Sequence, residues 1–127
     1  MLTIRYLGNE LVKEDKLAIE LAEHLQKRCH DIKFEKMDTM DDIMFIKDSI
    51  FMDVCDGITK ARLIDDIDVF ENIRSSTAHD IDFGFFLKLN KELGELKKVK
   101  IICLPKNRYP NIEEDVLSII ENLEGKS

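Results

Sequence analysis

The sequence lacks most of the features that mark secreted, membrane or nucleic-acid-binding proteins. Its three cysteines, Cys29, Cys55 and Cys103, are odd in number and form no CxxC pair, which excludes a disulfide framework and a zinc knuckle. No apolar run approaches the roughly 18 residues of a membrane span, and no signal-peptide pattern opens the chain. The formal net charge of −7 is spread along the chain and leaves no basic face for nucleic acid. We therefore expect a cytoplasmic protein that binds neither membranes nor nucleic acid.

Several common kinds of site are also missing. Gly8 is a lone glycine, without the glycine-rich spacing of a dinucleotide or nucleotide-phosphate loop. Cys55 and Cys103 lie in apolar strand contexts without an evident paired base, so we expect buried, reduced thiols rather than nucleophiles. The acidic turn at residues 65–68 lacks the later glutamate of a calcium loop, and solvated turn residues are the better interpretation.

The apolar pattern predicts alternating strands and helices in a single domain of residues 1–127. Leu17, Leu21 and Leu25 recur at helical spacing, whereas short apolar runs indicate strands. Asn111 and Glu114 form a capping-box pattern at the start of a last helix. The predicted elements are a first strand ending near residue 7, a helix at 15–27, a strand at 32–37, a helical segment at 40–45, a strand at 49–52 that ends at residue 53, extended pieces at 61–64 and 68–70, a helix at 83–96, a strand at 100–104 and a helix from 111.

This alternation predicts an α/β fold, a three-layer α/β/α sandwich with a mostly parallel twisted sheet. The compact apolar run that ends at Asp53 is typical of a central strand. The strand at 32–37 alternates apolar and charged residues, which favours a position toward the edge of the sheet.

Three candidate ligands occupy comparable places in this pattern. Asp15 follows the first strand, Asp53 ends the central strand, and His79 opens the loop before a later helix. Because the carboxyl ends of parallel strands share one edge, these residues can converge there, and two carboxylates with one imidazole suit a divalent cation. Each also has a simpler interpretation. Glu14 and Asp15 can serve as favourable charges in a first helical turn, and a lone histidine before a helix is more often at the surface.

Three ordered motifs in the chain resemble those of the hydrogenase maturation proteases. In that family a GN-x-L-x-x-D-D/E loop follows the first strand, a V-D-A-x-x-x-G segment ends a central strand, and an S-x-H loop precedes a helix. The resemblance extends over about residues 1–107, with an apolar-x-P pattern at its end. The matching segments of this chain are GNELVKED at residues 8–15, MDVCDG at 52–57, STAHD at 76–80 and LPK at 104–106.

The resemblance implies a nickel-dependent endopeptidase that removes the C-terminal peptide of a nickel-iron hydrogenase large-subunit precursor after nickel insertion. By position, the family's metal-contacting and catalytic residues correspond to Asp15, Asp53 and His79. The nickel is expected to arrive with the precursor, so that only a metal-loaded substrate completes the site. A bound cation can polarise a carbonyl or activate water. The protein is expected to act as a monomer.

The chain also departs from the family pattern. Lys16, Leu17 and Ala18 follow the acidic pair where the family often has small residues, and Asp38 stands in place of a turn glycine. These departures favour an alternative, a non-catalytic relative that binds the hydrogenase precursor as a maturation chaperone. A third possibility is a small α/β binding module in which the three candidate ligands are structural.

Overall fold

Five strands and two helices make up the part of the chain that the structure describes. The computed structural model describes residues 2–7, 16–37, 50–55, 58–65 and 100–125. The elements, numbered in chain order, are β1 (Leu2–Leu7), α1 (Lys16–Arg28), β2 (Ile32–Met37), β3 (Ile50–Val54), β4 (Arg62–Ile64), β5 (Lys100–Leu104) and α2 (Ile112–Gly125).

The five strands form one sheet in the order β2-β1-β3-β5-β4. β1 pairs in parallel with both β2 and β3, and β3 pairs in parallel with β5. β4 is antiparallel to β5. The sheet is therefore mostly parallel, and β3 lies at its centre with the predicted strand 32–37 at one edge.

One face of the sheet packs against both described helices. Alternate residues of the central strands, Met52 and Val54 of β3 and Ile102 and Leu104 of β5, are buried on this face. Burying a side chain of this size stabilises the fold by about 1.5–3 kcal/mol. The helices contribute residues at the expected spacing of three and four: Leu17, Ala18, Leu21, Ala22 and Leu25 from α1, and Ile112, Val116, Ile120 and Leu123 from α2.

The opposite face of the central strands is buried as well. Phe51 and Asp53 of β3 and Ile101 and Cys103 of β5 are at most 1% exposed. Parallel sheets are stable in proteins when both faces are covered, which requires apolar residues at consecutive strand positions. Together the two buried faces confirm the predicted α/β class.

The outer edge of β2 is bonded to a side chain of α1. The Gln26 Nε2 donates to the carbonyl oxygens of Ile32, at 2.8 Å, and Cys29, at 3.2 Å, while its Oε1 accepts from the Phe34 amide at 2.8 Å. A residue of a parallel neighbouring strand would bond the same C=O and N–H groups of residues 32 and 34. The amide of Gln26 thus replaces one residue of an adjacent strand at the outer edge of β2.

The sequence locates most of the described elements to within two residues. The strands at 32–37 and 100–104 have their predicted bounds, and the first helix is shifted by one residue. β3 continues to Val54 instead of ending at residue 53, because its ladder with β5 extends to the pair Val54 and Leu104. The predicted elements at 40–45, 68–70 and 83–96 lie outside the described residues. In the described part of the chain, no helix has the length and apolar character needed to span a membrane.

Candidate functional site

Asp53 is a buried carboxylate near the carboxyl end of the central strand. It is 0% exposed, and among the described residues it is the one charged side chain in the buried interior. Its Oδ1 accepts a hydrogen bond from the Val54 amide at 2.9 Å. Burying a carboxylate costs free energy unless hydrogen bonds or a cation compensate it. The hydrogen bond from Val54 offsets part of that cost.

The order of the strands makes the position of Asp53 significant. The chain passes from β1 through α1 to β2 on one side of β1, and β3 then lies on the other side. In open α/β sheets, ligands usually bind at the carboxyl edge where the strand order changes direction in this way. Asp53 is the fourth of the five residues of β3 and therefore lies near this edge.

Strand pairing brings two further polar residues into line with Asp53. Asp53 pairs with Cys103 of β5, and Cys103 pairs with Arg62 of β4. Paired residues in a sheet project from the same face, so a carboxylate, a buried thiol and an exposed guanidinium follow each other across three strands. Apolar Phe51 and Ile101 form the preceding pair on that face, and both are buried.

An open cleft of about 380 Å³ lies at the same edge of the sheet, between the segments that follow β3 and β5. We call it the β3–β5 cleft. Cys55, which is two residues beyond Asp53 and buried, lines it. The remaining lining residues are Ile58, Thr59, Pro105, Lys106, Asn107, Arg108 and Tyr109.

Tyr109 fastens the two walls of the β3–β5 cleft to each other. Its hydroxyl accepts a hydrogen bond from the Ala61 amide at 2.8 Å and donates one to Asp115 Oδ2 at 2.7 Å. Burial and the hydrogen bond to Asp115 raise the pKa of Tyr109 above its ordinary 10.0, although the bond from Ala61 acts in the opposite direction. The hydroxyl therefore remains protonated at neutral pH and joins the segment after β3 to the start of α2.

A cluster of charged side chains lies behind the cleft wall, where α1 meets α2. Glu113 contacts Arg108 Nη2 at 3.0 Å, Arg28 Nη1 at 3.3 Å and His24 Nδ1 at 3.6 Å. Burial acts to raise the pKa of Glu113, but the hydrogen bonds from Arg28 and His24 and the nearby charges lower it below its ordinary 4.5. The cluster stabilises the contact between the two helices and holds Arg108 at the cleft.

The other predicted ligands, Asp15 and His79, lie outside the described residues, and so do Glu14 and Asp38. Within the ranges that the structure describes, no group of three His, Cys, Asp or Glu side chains could hold a metal ion. The assignment of Asp15, Asp53 and His79 as a metal site therefore remains a prediction. Asp65, at the start of the acidic turn, is exposed to solvent, in agreement with its interpretation as a turn residue.

Neither the β3–β5 cleft nor the role of Tyr109 was predicted from the sequence. One signal was available, since Pro105 and Pro110 bracket the segment that follows a predicted buried strand. Such segments frequently carry binding residues in α/β proteins. The hydrogen bond between Tyr109 and Ala61 could not be predicted in this way, because Ala61 is 48 positions away in the chain and no local pattern pairs the two residues.

Comparison with known proteins supports a definite fold. No protein-family model and no curated protein matches the sequence. Among solved structures, the hydrogenase maturating endopeptidase HybD from E. coli matches with a TM-score of 0.65 and 15% identity, covering 100% of this chain and 94% of that chain. An endopeptidase from Escherichia coli solved in solution matches with a TM-score of 0.62 and 17% identity, over 96% of this chain and 90% of that one. An uncharacterized protein from Wolinella succinogenes matches with a TM-score of 0.59 and 14% identity, over 98% and 97%. The chain therefore has the fold of a hydrogenase maturating endopeptidase, as its motifs predicted.

Proposed function

We propose that this protein is a nickel-dependent endopeptidase that removes the C-terminal peptide of a nickel-iron hydrogenase large-subunit precursor after nickel insertion. The observation that carries the proposal is the buried carboxylate of Asp53 at the carboxyl end of β3, in a chain with the fold of a hydrogenase maturating endopeptidase. The position of Asp53 near the carboxyl end of β3, where the strand order changes direction, supports a site at this edge of the sheet.

In this proposal Asp53 acts together with Asp15 and His79 on a nickel ion that belongs to the substrate. Two carboxylates and one imidazole are suitable ligands for a divalent cation and leave coordination positions for thiolates of the precursor. Bound nickel supplies Lewis acidity at the scissile peptide. The apolar pair below Asp53 limits access of water to its carboxylate, which strengthens the interaction of the carboxylate with a cation.

The experiment that tests this function is a cleavage assay on a nickel-loaded large-subunit precursor from the same genome, read by mass spectrometry. The metal-free precursor is treated in parallel. Asp53→Asn, Asp15→Asn and His79→Ala remove the proposed ligands with little change in volume at the aspartates. Asp65→Asn is the matched control, since it removes an exposed carboxylate at the end of β4.

We expect the loss of one discrete C-terminal peptide, with nickel only, from the wild-type protein and the Asp65→Asn control. The three ligand variants should lose at least a hundredfold in rate while keeping their thermal unfolding transitions. Tight binding of the precursor without cleavage would replace this proposal with the chaperone alternative. Absence of both binding and cleavage would leave a small α/β binding module.

A further inference from the structure

Two cations line the described part of the β3–β5 cleft. They are Lys106 and Arg108, and none of the described lining residues is acidic. The whole chain carries a formal net charge of −7. Two cations gathered in one cleft of an acidic protein indicate that the cleft is suited to an anionic group.

The cationic wall of the cleft is held in place before any ligand binds. Arg108 Nη2 lies 3.0 Å from Glu113, and Nη1 lies 3.8 Å from Glu20 on α1. A guanidinium has five N–H donors in a rigid fork, which is more than these two contacts use. Tyr109, the next residue, is fixed by its bonds to Ala61 and Asp115. Such a prearranged cation loses little conformational entropy when it binds a carboxylate.

The shape and remaining surface of the cleft favour an extended peptide. The cleft is open, and Ile58, Pro105 and the ring of Tyr109 provide apolar surface next to the two cations. A volume of about 380 Å³ lies within the range of small-ligand sites. The excess of acidic residues in the chain opposes a nucleic-acid backbone, which carries a regular series of phosphates.

We propose that the β3–β5 cleft binds an acidic segment of the protein substrate, with its Asp or Glu carboxylate against Arg108 and Lys106. This inference rests on the proposed function for the identity of the substrate. The cleft begins two residues beyond Asp53, at Cys55, so a chain lying in it passes close to that carboxylate. Arg108 and Lys106 would thus select substrates by the charge of the residues that flank the cleaved bond.

The test measures the binding of two fluorescein-labelled peptides by fluorescence anisotropy. Both have the sequence of the precursor around its cleavage position, one with two Glu and the other with two Gln at the same flanking positions. We expect the Glu peptide to bind wild-type protein about tenfold more tightly, the effect of one charge-assisted contact in an open cleft. Arg108→Gln and Lys106→Gln should each reduce this preference at least threefold.

Two control variants separate charge from folding. Arg108→Lys keeps a cation at the cleft and should retain a preference for the Glu peptide. Lys60→Gln removes an exposed cation near the cleft that does not line it, and should leave the preference unchanged. Equal affinity for the two peptides in the wild-type protein, or a preference that survives loss of both cleft cations, would overturn the inference.

The outcome for the proposed function is read separately. Cleavage of the nickel-loaded precursor by a protein that shows no preference between the peptides would overturn the acidic-segment inference and leave the endopeptidase function intact. A preference for the Glu peptide in a protein that cleaves no precursor would support the binding of an acidic segment in the cleft and would contradict the proposed endopeptidase activity. Failure of both peptides to bind would overturn the inference.

Discussion

The hydrogen bonds between Gln26 and the edge strand β2 can be tested directly by substitution. Its side-chain amide forms three hydrogen bonds, two as donor to Ile32 and Cys29 and one as acceptor from Phe34, at 2.8–3.2 Å. A partly buried hydrogen bond contributes about 1 kcal/mol, and an unsatisfied partner costs more. We therefore expect Gln26→Ala to reduce the free energy of unfolding by about 2–3 kcal/mol, or to lower Tm by roughly 10 °C.

A second substitution at this position distinguishes hydrogen bonding from packing. Gln26→Glu keeps the size of the side chain and the acceptor for Phe34, but it places a carboxylate oxygen opposite the Ile32 and Cys29 carbonyl oxygens. That repulsion raises the pKa of the introduced carboxyl in the folded state above its unfolded value, because the charged form is disfavoured. The loss of stability should be full at pH 7 and should shrink as pH falls toward about 4.3, where the protonated acid can donate.

The assay is urea unfolding of the wild type and both variants at pH 7 and at pH 4, followed by circular dichroism. Comparison with the wild type at each pH removes the effect of other carboxyl groups. A Gln26→Glu variant as stable as the wild type at pH 7 would refute the proposed role of the amide as a strand substitute. So would a destabilisation of equal size at both pH values, since a packing defect does not depend on protonation.

Three further predictions follow from buried or partly buried contacts. Tyr109→Phe removes the hydroxyl that joins Ala61 to Asp115 and should reduce the free energy of unfolding by about 1–3 kcal/mol. The Ala61 amide should then exchange its hydrogen with solvent faster than in the wild type, and an unchanged exchange rate would contradict this prediction. Glu113→Gln should cost about 1 kcal/mol at pH 7. Because the pKa of Glu113 is lowered in the folded protein, the difference in unfolding free energy between this variant and the wild type should disappear as pH falls below 4.5. Urea titrations that show the same difference at every pH would exclude this linkage. Leu21→Ala leaves a cavity in a fully buried position of α1 and should cost about 2–5 kcal/mol in the same assay; a loss under about 1 kcal/mol would argue against the packing described.

The sequence located the strand that carries Asp53, one of the three candidate site residues. An apolar run that ends in Asp53 reads as a buried strand followed by a carboxylate, and parallel strands place such residues at one edge. The structure confirms a buried central strand over this run, and the assignment of Asp53 to a site remains a prediction. The motifs also predicted that Asp15 and His79 converge with Asp53, but both residues lie outside the described ranges.

Local sequence patterns predict the type of most described elements and the class of the fold. Periodicity of two or of 3.6 is a local property, because it follows from the backbone geometry of a few consecutive residues. That is why β2, β5 and both helices were located from apolar spacing within two residues.

Which segments meet follows from long-range packing and not from local patterns. The order β2-β1-β3-β5-β4, the antiparallel direction of β4, the β3–β5 cleft and the bond between Tyr109 and Ala61 all join residues that are distant in sequence. Even the shorter link from Gln26 to the edge of β2 depends on how α1 packs against the sheet. Such contacts depend on the packing of the whole chain, and a local pattern cannot specify them, since many pairings satisfy the same alternation of apolar and polar residues.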